Sequence, residues 1–589
     1  MTHETRSPSG PRRALLLGVT HALLMVLSFP PYSLWGLAFV SPIPLFVLAR
    51  DPRMRPSRAA FWCAIGVCPA WLWLHWWVWD VSALGIIPLV IVLSLFSMLY
   101  VWLASRIVHR FGRDVLLLPL VFVGVEFFRG SVFGGGYPWY LLAHPLVESP
   151  LSVLAMPASI AGVYFVSFLC ATYSYLLYLA LRDRSHVLRK RAGQAAAGLF
   201  AAWVFMGLLL IPAEDPGTPY FRFAVVQPDV AQDNRLSWSV RQRYRDWLTL
   251  RDITLAAASD QTNPLPLDAI IWPEGFVPGW TLDPISLDTE RAERLAWNMT
   301  PNDAGDVPGL DVPSRIGATE IVDSMLVMQQ YLEIPLVVGS VAYDNLRIVD
   351  SPDGIEYERD ALYNSAFVIM DGRVSNEWYD KLHLTPFGET MPLISRSEWL
   401  EQNLLAIAAQ GMEFALDPGR EARNLRVPLH DAPVGTEVAL ATPICFEATI
   451  SGVCRKLVAR DGERKAGVLI NITNDGWFGD SLASREAHLQ NARWRCIELG
   501  TPMIRSANTG ISAVIDHRGR IVDTTIKPLR DNPREGYLIN QVQLGVGMTT
   551  FARMGDLFGW LTLLLTLVWG GAAIFRSPRG VLPMQTESS

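Results

Sequence analysis

Leu84 to Ser105 reads LGIIPLVIVLSLFSMLYVWLAS, a run without a charged residue. About 20 apolar residues suffice for a helix to cross roughly 30 Å of hydrocarbon, so this stretch alone predicts that part of the chain lies in a membrane. Comparable runs flank it at 13–29, 32–49, 59–77, 113–128, 153–180 and 195–212, and a last one, Leu557 to Phe575, closes the sequence. Pro42 and Pro44 interrupt the second run, and the fifth is short. The pattern predicts a polytopic α-helical membrane bundle of about eight transmembrane helices, seven in residues 1–212 and one in 551–589.

Composition agrees with that reading. Of 589 residues, 50% are hydrophobic and 18% charged, which excludes a disordered chain and an ordinary surface-rich soluble protein. The net charge of −6, with no sustained basic stripe, excludes nucleic acid as a partner. Cys63, Cys68, Cys170, Cys445, Cys454 and Cys496 are too sparse for a disulfide scaffold and form no paired CxxC zinc pattern, which leaves room for one to be kept for reactivity.

The basic residues orient the bundle. Arg12 and Arg13 precede the first run, Arg50, Arg53, Arg55 and Arg58 follow the second, Arg106, Arg110 and Arg113 follow the fourth, and Arg182, Arg184, Arg189, Lys190 and Arg191 follow the sixth. The turns around 30–34 and 80–85 contain no Lys or Arg. Positive residues accumulate on the cytoplasmic side, so the amino terminus is expected inside and residues 213–550 outside the cytoplasm. Arg576 and Arg579 return the carboxyl terminus to the inside. Trp76, Trp77, Trp79, Trp139 and Tyr140 near the ends of the runs suit an aromatic belt.

Residues 213–550 have a different grammar. Short apolar runs at Phe223–Val226, Ala269–Trp272, Leu336–Gly339, Ala366–Met370, Gly467–Ile472 and Ile511–Ile515 alternate with longer polar stretches such as Leu236–Ala258 and Arg485–Leu499. That alternation predicts an α/β domain, whose strand ends commonly position chemistry.

Three segments at such ends can cooperate. Ile271-Trp272-Pro273-Glu274-Gly275 puts a carboxylate just past a strand, YDKLHLTPFGE (Tyr379 to Glu389) embeds Lys381 among aromatic and apolar neighbours, and Thr442-Pro443-Ile444-Cys445-Phe446-Glu447 follows the apolar Val438–Ala441. Singly, Glu274 reads as a loop acid and Cys445 as a small buried hydrophobe. Together they offer a nucleophile, a base and a cation: Glu274 to take the Cys445 proton, Cys445 to attack an acyl carbon, and Lys381 to face the developing oxyanion. His383 and His488 have no GxSxG or HExxH context and read as structural or surface residues.

The ordered motifs WPEG, YDKLHLTPFGE and PICFE resemble those of the nitrilase, or carbon-nitrogen hydrolase, superfamily, and the segments Asn471–Gly479 (NITNDGWFG) and Arg505–Ser512 (RSANTGIS) extend the likeness. With seven runs before and one after, the whole is similar to the bacterial apolipoprotein N-acyltransferase family, over about residues 12–575. The resemblance implies a nitrilase-like αββα sandwich carried by the bundle and facing the periplasm of a bacterial inner membrane. It implies Glu274 as catalytic base, Lys381 as oxyanion-side lysine and Cys445 as acyl-carrying nucleophile. Glu389 matches an acid of the active-site loop and Glu447 a further supporting acid. Phe446 stands at an often aromatic position whose backbone N–H could join the oxyanion hole. Glu126, Arg129 and Trp139 of the GYPW run resemble a floor beneath the site, a packing role being the alternative.

The implied reaction uses no cofactor or metal. A phospholipid acyl donor, with membrane lipids as its medium, loses a chain to Cys445, and a diacylglyceryl lipoprotein acceptor takes it on its terminal amine, the enzyme acting as a monomer. The rival is a membrane-tethered amidase or hydrolase in which water resolves the thioester, and a non-catalytic transporter or scaffold is a third possibility. Seven preceding runs favour the transferase, since a tether needs one. The stretch between Glu274 and Lys381 is longer than the family pattern, with Asn302–Arg315 resembling part of an insertion.

Overall fold

The computed structural model describes residues 9–575 except 82, 84, 113–115, 183–184, 214, 231–239, 264, 276–280, 299–314, 352–353, 387, 391–415 and 546. The insertion read at Asn302–Arg315 lies outside the described residues but for Arg315 itself, which starts a short strand, Arg315–Gly317, paired with Ala296–Asn298.

The amino-terminal region is helical: α1 (Ser9–Ser28), α2 (Ile43–Ala49), α3 (Pro56–Leu74), α4 (Ile86–Phe111), α5 (Leu117–Phe127), α6 (Val163–Arg182) and α7 (His186–Leu209). Among the described residues, five helices are long and apolar enough to cross a membrane: α4, α5 with its continuation to Gly135, α6, α7 and the last helix, Leu557–Phe575. Their outward faces carry bare apolar side chains, among them Ile87, Ile91, Leu95, Leu208, Leu564 and Leu567, which water would not tolerate and lipid does.

Helix contacts are close where small residues allow it. A Cβ on Gly18 would fall 2.6 Å from the Cys63 carbonyl oxygen, and one on Gly66 would fall 2.6 Å from that of Leu15, so α1 and α3 touch backbone to backbone.

Several expected spans have other bounds. The run 32–49 is no continuous helix: a 3₁₀ turn, Trp35–Phe39, precedes α2, with Pro42 as its N-cap and Pro44 in its first turn. The run 153–180 begins as short turns and a single helical turn, Ala158–Ala161, and becomes a long helix only at Val163, after Gly162 at φ 80°. Arg189, Lys190 and Arg191, read as a loop, belong to the first turns of α7, which Ser185 caps by accepting the Leu188 N–H. Trp76 and Trp79 are exposed and stacked on each other, whereas Trp139 and Tyr140 are buried inside the bundle and are not surface anchors.

Residues from Tyr220 onward form two facing sheets. The first runs β5 (Tyr379–Asp380), β4 (Ala361–Met370), β3 (Leu336–Asp344), β2 (Ala269–Ile271), β1 (Tyr220–Gln227), β13 (Gly536–Gln543) and β12 (Lys527–Pro528). The second runs β6 (Leu425–Pro428), β7 (Glu437–Ala441), β8 (Val468–Thr473), β9 (Met503–Ala507), β10 (Ala513–Ile515) and β11 (Ile521–Asp523). Alternation on β1 shows why they stack. Phe221, Phe223 and Val225 pack with Val427, Leu440, Ile470 and Ile504 of the second sheet, while Ala224 and Val226 face helices α8 (Val240–Ala258) and α9 (Glu320–Leu332). Helices α10 (Ser451–Val458) and α11 (Leu482–Leu499) join the core of the second sheet, giving four layers in αββα order, and α12 (Leu557–Phe575) follows.

The Cys–Glu–Lys centre

β2 delivers Glu274 just beyond its end. Gly339 of β3 lies beneath this turn: a Cβ there would be 2.6 Å from the Gly275 nitrogen and 2.9 Å from the Glu274 Cα, so only glycine lets the Trp-Pro-Glu turn settle. Glu274 is buried; its Oε1 accepts from the Asn364 amide of β4 at 2.8 Å, and its Oε2 accepts the Asn474 N–H at 3.0 Å.

Lys381 follows β5 and its side chain is 1% exposed. Its Nζ lies 3.4 Å from Glu274 and 2.8 Å from Glu389, whose Oε2 also accepts the Thr385 N–H at 2.8 Å. Burial works against the Lys381 ammonium, but the Glu389 and Glu274 carboxylates outweigh it and raise its pKa well above the ordinary lysine value. Burial likewise opposes ionisation of Glu389, and the Lys381 charge overcomes it, holding that carboxyl below its usual range.

Cys445 opens the 3₁₀ turn Cys445–Thr449 after β7, with φ at 50°, a left-handed conformation that costs a non-glycine residue about 1–2 kcal/mol. Its neighbours fix it. The Asn471 amide donates to the Pro443 and Cys445 carbonyls at 2.9 and 3.3 Å, and the Thr473 hydroxyl meets the thiol. Burial, then the nearby Glu274 charge, pushes the thiol up to about 12, with Lys381 pulling the other way. At rest the sulfur is therefore a thiol, and ionising it needs a base.

Glu447 ties the turn of Cys445 to the segment of Lys381. It is fully buried; Oε1 accepts the Leu382 and His383 N–H groups at 2.7 and 2.9 Å, Oε2 accepts the Ile444 N–H at 2.8 Å, and the Tyr379 hydroxyl donates to both at 2.9 and 3.0 Å.

Phe446 is buried in an apolar cluster shared by the bundle and the domain, which contains Trp71 and Trp139 of the one and Phe478 and Ala487 of the other. Its ring stacks on His383 at 5.9 Å and on Tyr137 at 6.5 Å, and Tyr137 stacks on Trp139 at 6.1 Å. Arg129 donates to the Trp139 carbonyl at 2.7 Å and the Tyr140 carbonyl at 3.3 Å and lies over the Trp71 ring, while Glu126 accepts the Leu142 N–H at 2.6 Å. These three floor residues thus shape the loop that carries Tyr137 and Trp139, and the loop reaches the centre through its rings.

The sequence reading missed Asn364, which touches both Glu274 and Glu389, the latter at 3.3 Å. An amide inside the otherwise apolar strand ALYNSAFVIM was the available signal. It also gave no role to Tyr379, Asn471, Thr473 or Asn474, although all lie within motifs it quoted.

A two-sheet α/β domain with a buried Lys and Glu beside a half-buried Cys at its strand ends, seated on a helical membrane bundle, defines a membrane-bound enzyme of the carbon-nitrogen hydrolase superfamily. Residues 222–547 match the carbon-nitrogen hydrolase domain, and residues 21–176 match the apolipoprotein N-acyltransferase N-terminal domain. Over 93% of both chains it is 28% identical to an apolipoprotein N-acyltransferase of Geobacter metallireducens. It is 30% identical to those of Rhizobium meliloti (86% of each chain) and Bradyrhizobium diazoefficiens (93% of this chain, 92% of the relative). The chain belongs to the apolipoprotein N-acyltransferase family, and it is an acyltransferase that modifies lipoproteins.

Proposed function

We propose that the chain moves an acyl group from a membrane phospholipid to the α-amine of the amino-terminal diacylglyceryl-cysteine of a lipoprotein, with Cys445 carrying the group as a thioester. Glu274 takes the Cys445 proton as sulfur attacks the ester carbonyl. The negative oxygen of the tetrahedral intermediate faces Lys381, whose charge is fixed by Glu389 and Glu274. Collapse breaks the ester bond, and the departing lysophospholipid alkoxide receives the proton from Glu274. The lipoprotein amine then attacks the thioester, Glu274 accepts the amine proton, and the Cys445 thiolate leaves and regains it.

In this reading residues 1–212 are a seven-helix bundle, 213–550 the catalytic domain on the periplasmic side and 551–589 the last helix and cytoplasmic tail, eight spans in all. The arrangement supports it in one observation above the others: Phe446, next to Cys445, is buried where the α/β domain meets the membrane bundle, between His383 of the one and Tyr137 of the other. Substrates can then bring an ester carbonyl or an amine to Cys445 while the rest of their chains stays in lipid.

Intact-mass measurement tests it. Wild-type protein given a defined diacyl phosphatidylethanolamine gains one acyl mass, and a diacylated amino-terminal lipopeptide discharges it as triacylated peptide. Cys445→Ala gains none. Release of the adduct as free fatty acid, with the peptide unchanged, would replace the transferase with a hydrolase.

A further inference from the structure

His488 stands in the middle of α11, without a motif of its own, yet it is 1% exposed and surrounded by charge. Its Nδ1 lies 3.0 Å from an Asp475 carboxylate oxygen and 3.0 Å from Arg505 Nη2. Arg505, fully buried, donates from Nη2 to both Asp475 oxygens at 2.7 and 2.8 Å and from Nη1 to Asn471 Oδ1 at 2.5 Å. Asn471 in turn donates to the Cys445 carbonyl.

The imidazole lies against that same carbonyl. Among the described residues its buried Nε2 has no other hydrogen-bond partner. Burial and the Arg505 charge lower the pKa of His488, so the ring is neutral in the resting enzyme. A neutral ring has one N–H. With that hydrogen on Nε2, Nδ1 accepts from Arg505, whose charge also holds the Asp475 oxygen that lies beside Nδ1, and the N–H is free to serve the carbonyl.

On its other side the ring meets one aromatic of the membrane bundle and one of the α/β domain. Trp139 stacks on it at 5.6 Å with planes 25° apart, and Phe478 meets it edge-on at 5.7 Å. Trp139 belongs to the near-parallel column that continues through Tyr137 and Phe446 to His383. The column therefore touches the nucleophile turn at Phe446 and reaches its rear through His488.

We infer that His488 is a positioning residue for Cys445: clamped between Trp139 and the Asp475–Arg505 pair, it holds the carbonyl of the left-handed nucleophile turn to the rear, so that the thiol points toward Glu274 and Lys381. The physical need is the strain at Cys445, which persists only where the surroundings over-determine it. An apolar side chain of the same shape would fill the space without burying a polar atom, so the imidazole is explained by its ring nitrogens. The inference rests on Cys445 being the acyl carrier.

The experiment uses the full chain in detergent or nanodiscs, with a defined diacyl phosphatidylethanolamine as donor and single-turnover formation of the acyl adduct as readout. His488→Leu slows adduct formation about 10- to 100-fold while KM for the phospholipid stays within twofold. His488→Gln, which restores an N–H donor, recovers at least half of that loss on a logarithmic scale. Adduct formation at the wild-type rate in His488→Leu overturns the inference, as does an equal loss in both variants accompanied by a raised KM. If His488→Leu does not fold, Asp475→Asn decides: a 3- to 10-fold slower adduct at unchanged KM supports the clamp, and the wild-type rate overturns it. Cys445→Ala is run beside them. An adduct that survives in that variant removes the underlying reading of the nucleophile, whatever the His488 series gives.

Discussion

Lys381 sits closer to Glu389 than to Glu274, 2.8 Å against 3.4 Å, so its ammonium is anchored by the loop acid and only shared with the proposed base. The anchor keeps Lys381 from closing fully on Glu274, which must stay free to take a proton. Removing one partner of a buried charge pair costs about 3–5 kcal/mol. Glu389→Ala is therefore expected to lower the thermal unfolding midpoint and to slow acyl-adduct formation by at least about a hundredfold, an effect of about 3 kcal/mol in the barrier. Glu389→Gln, which keeps an oxygen for the Thr385 N–H, is expected to fall between. Differential scanning in detergent and single-turnover mass measurement check both.

The resting thiol gives a second prediction with opposite signs in two assays. Burial and then the Glu274 charge hold Cys445 up at about 12. Glu274→Gln removes that negative charge, so the thiol pKa falls, and each unit of fall raises the thiolate fraction about tenfold below the midpoint. Alkylation of Cys445 by iodoacetamide at pH 9 is expected to become faster in Glu274→Gln, while acyl transfer from phospholipid is lost because no base remains. If alkylation slows together with transfer, Glu274 acts on the thiol in some way other than its charge.

How far the sequence led can be seen at individual residues. Glu274, Lys381 and Cys445 were legible because each lies in a short motif at the end of an apolar strand, and strand ends converge in α/β folds. Asn364 was not, because a single amide inside a strand says nothing about which face it occupies or what crosses it. The strand Gly536–Gln543 escaped notice because Asn540, Gln541 and Gln543 break the apolar run over its second half. The helix bounds moved where proline and glycine decided them, as at Pro42 and Gly162, since hydrophobicity reports burial in lipid and not helical continuity. His488 reads from sequence only as a structural or surface residue because nothing in its local sequence marks the Asp475 and Arg505 that fold against it.

Gly339 allows a structural test of the base. A Cβ there would meet the Gly275 nitrogen at 2.6 Å and the Pro273 oxygen and Glu274 Cα at 2.9 Å, all of them backbone, which cannot swing aside as a side chain would. Overpacking of this kind costs about 1–3 kcal/mol. Gly339→Ala is expected to fold with a lower unfolding midpoint and to move Glu274 away from Lys381, cutting the acylation rate about tenfold or more. A variant with reduced stability and wild-type acylation would show that the turn tolerates the shift.

Glu447 carries the pH dependence. Burial pushes it up to about 7, against the Ile444 N–H, the Lys381 charge, the His383 N–H and the Tyr379 hydroxyl, which favour the charged form. Because the folded pKa lies above the ordinary 4.5, the stability this group contributes is complete below about 4.5 and is lost as pH rises through about 7. The geometry of the turn runs the other way. Three backbone N–H groups and a hydroxyl all point donors at the carboxyl, and a protonated oxygen facing the Ile444 N–H would set donor against donor. Acylation is therefore expected to rise with pH through about 7 while the unfolding midpoint, compared with Glu447→Gln at each pH, declines over the range from about 4.5 to 7. Glu447→Gln cannot ionise and presents an amide to one of these donors, so its rate is expected to be at least about tenfold lower and to lack the acid limb. Single-turnover rates and unfolding midpoints for both proteins between pH 5 and 9 make the comparison, and an acid limb unchanged in Glu447→Gln would assign the limb to another group.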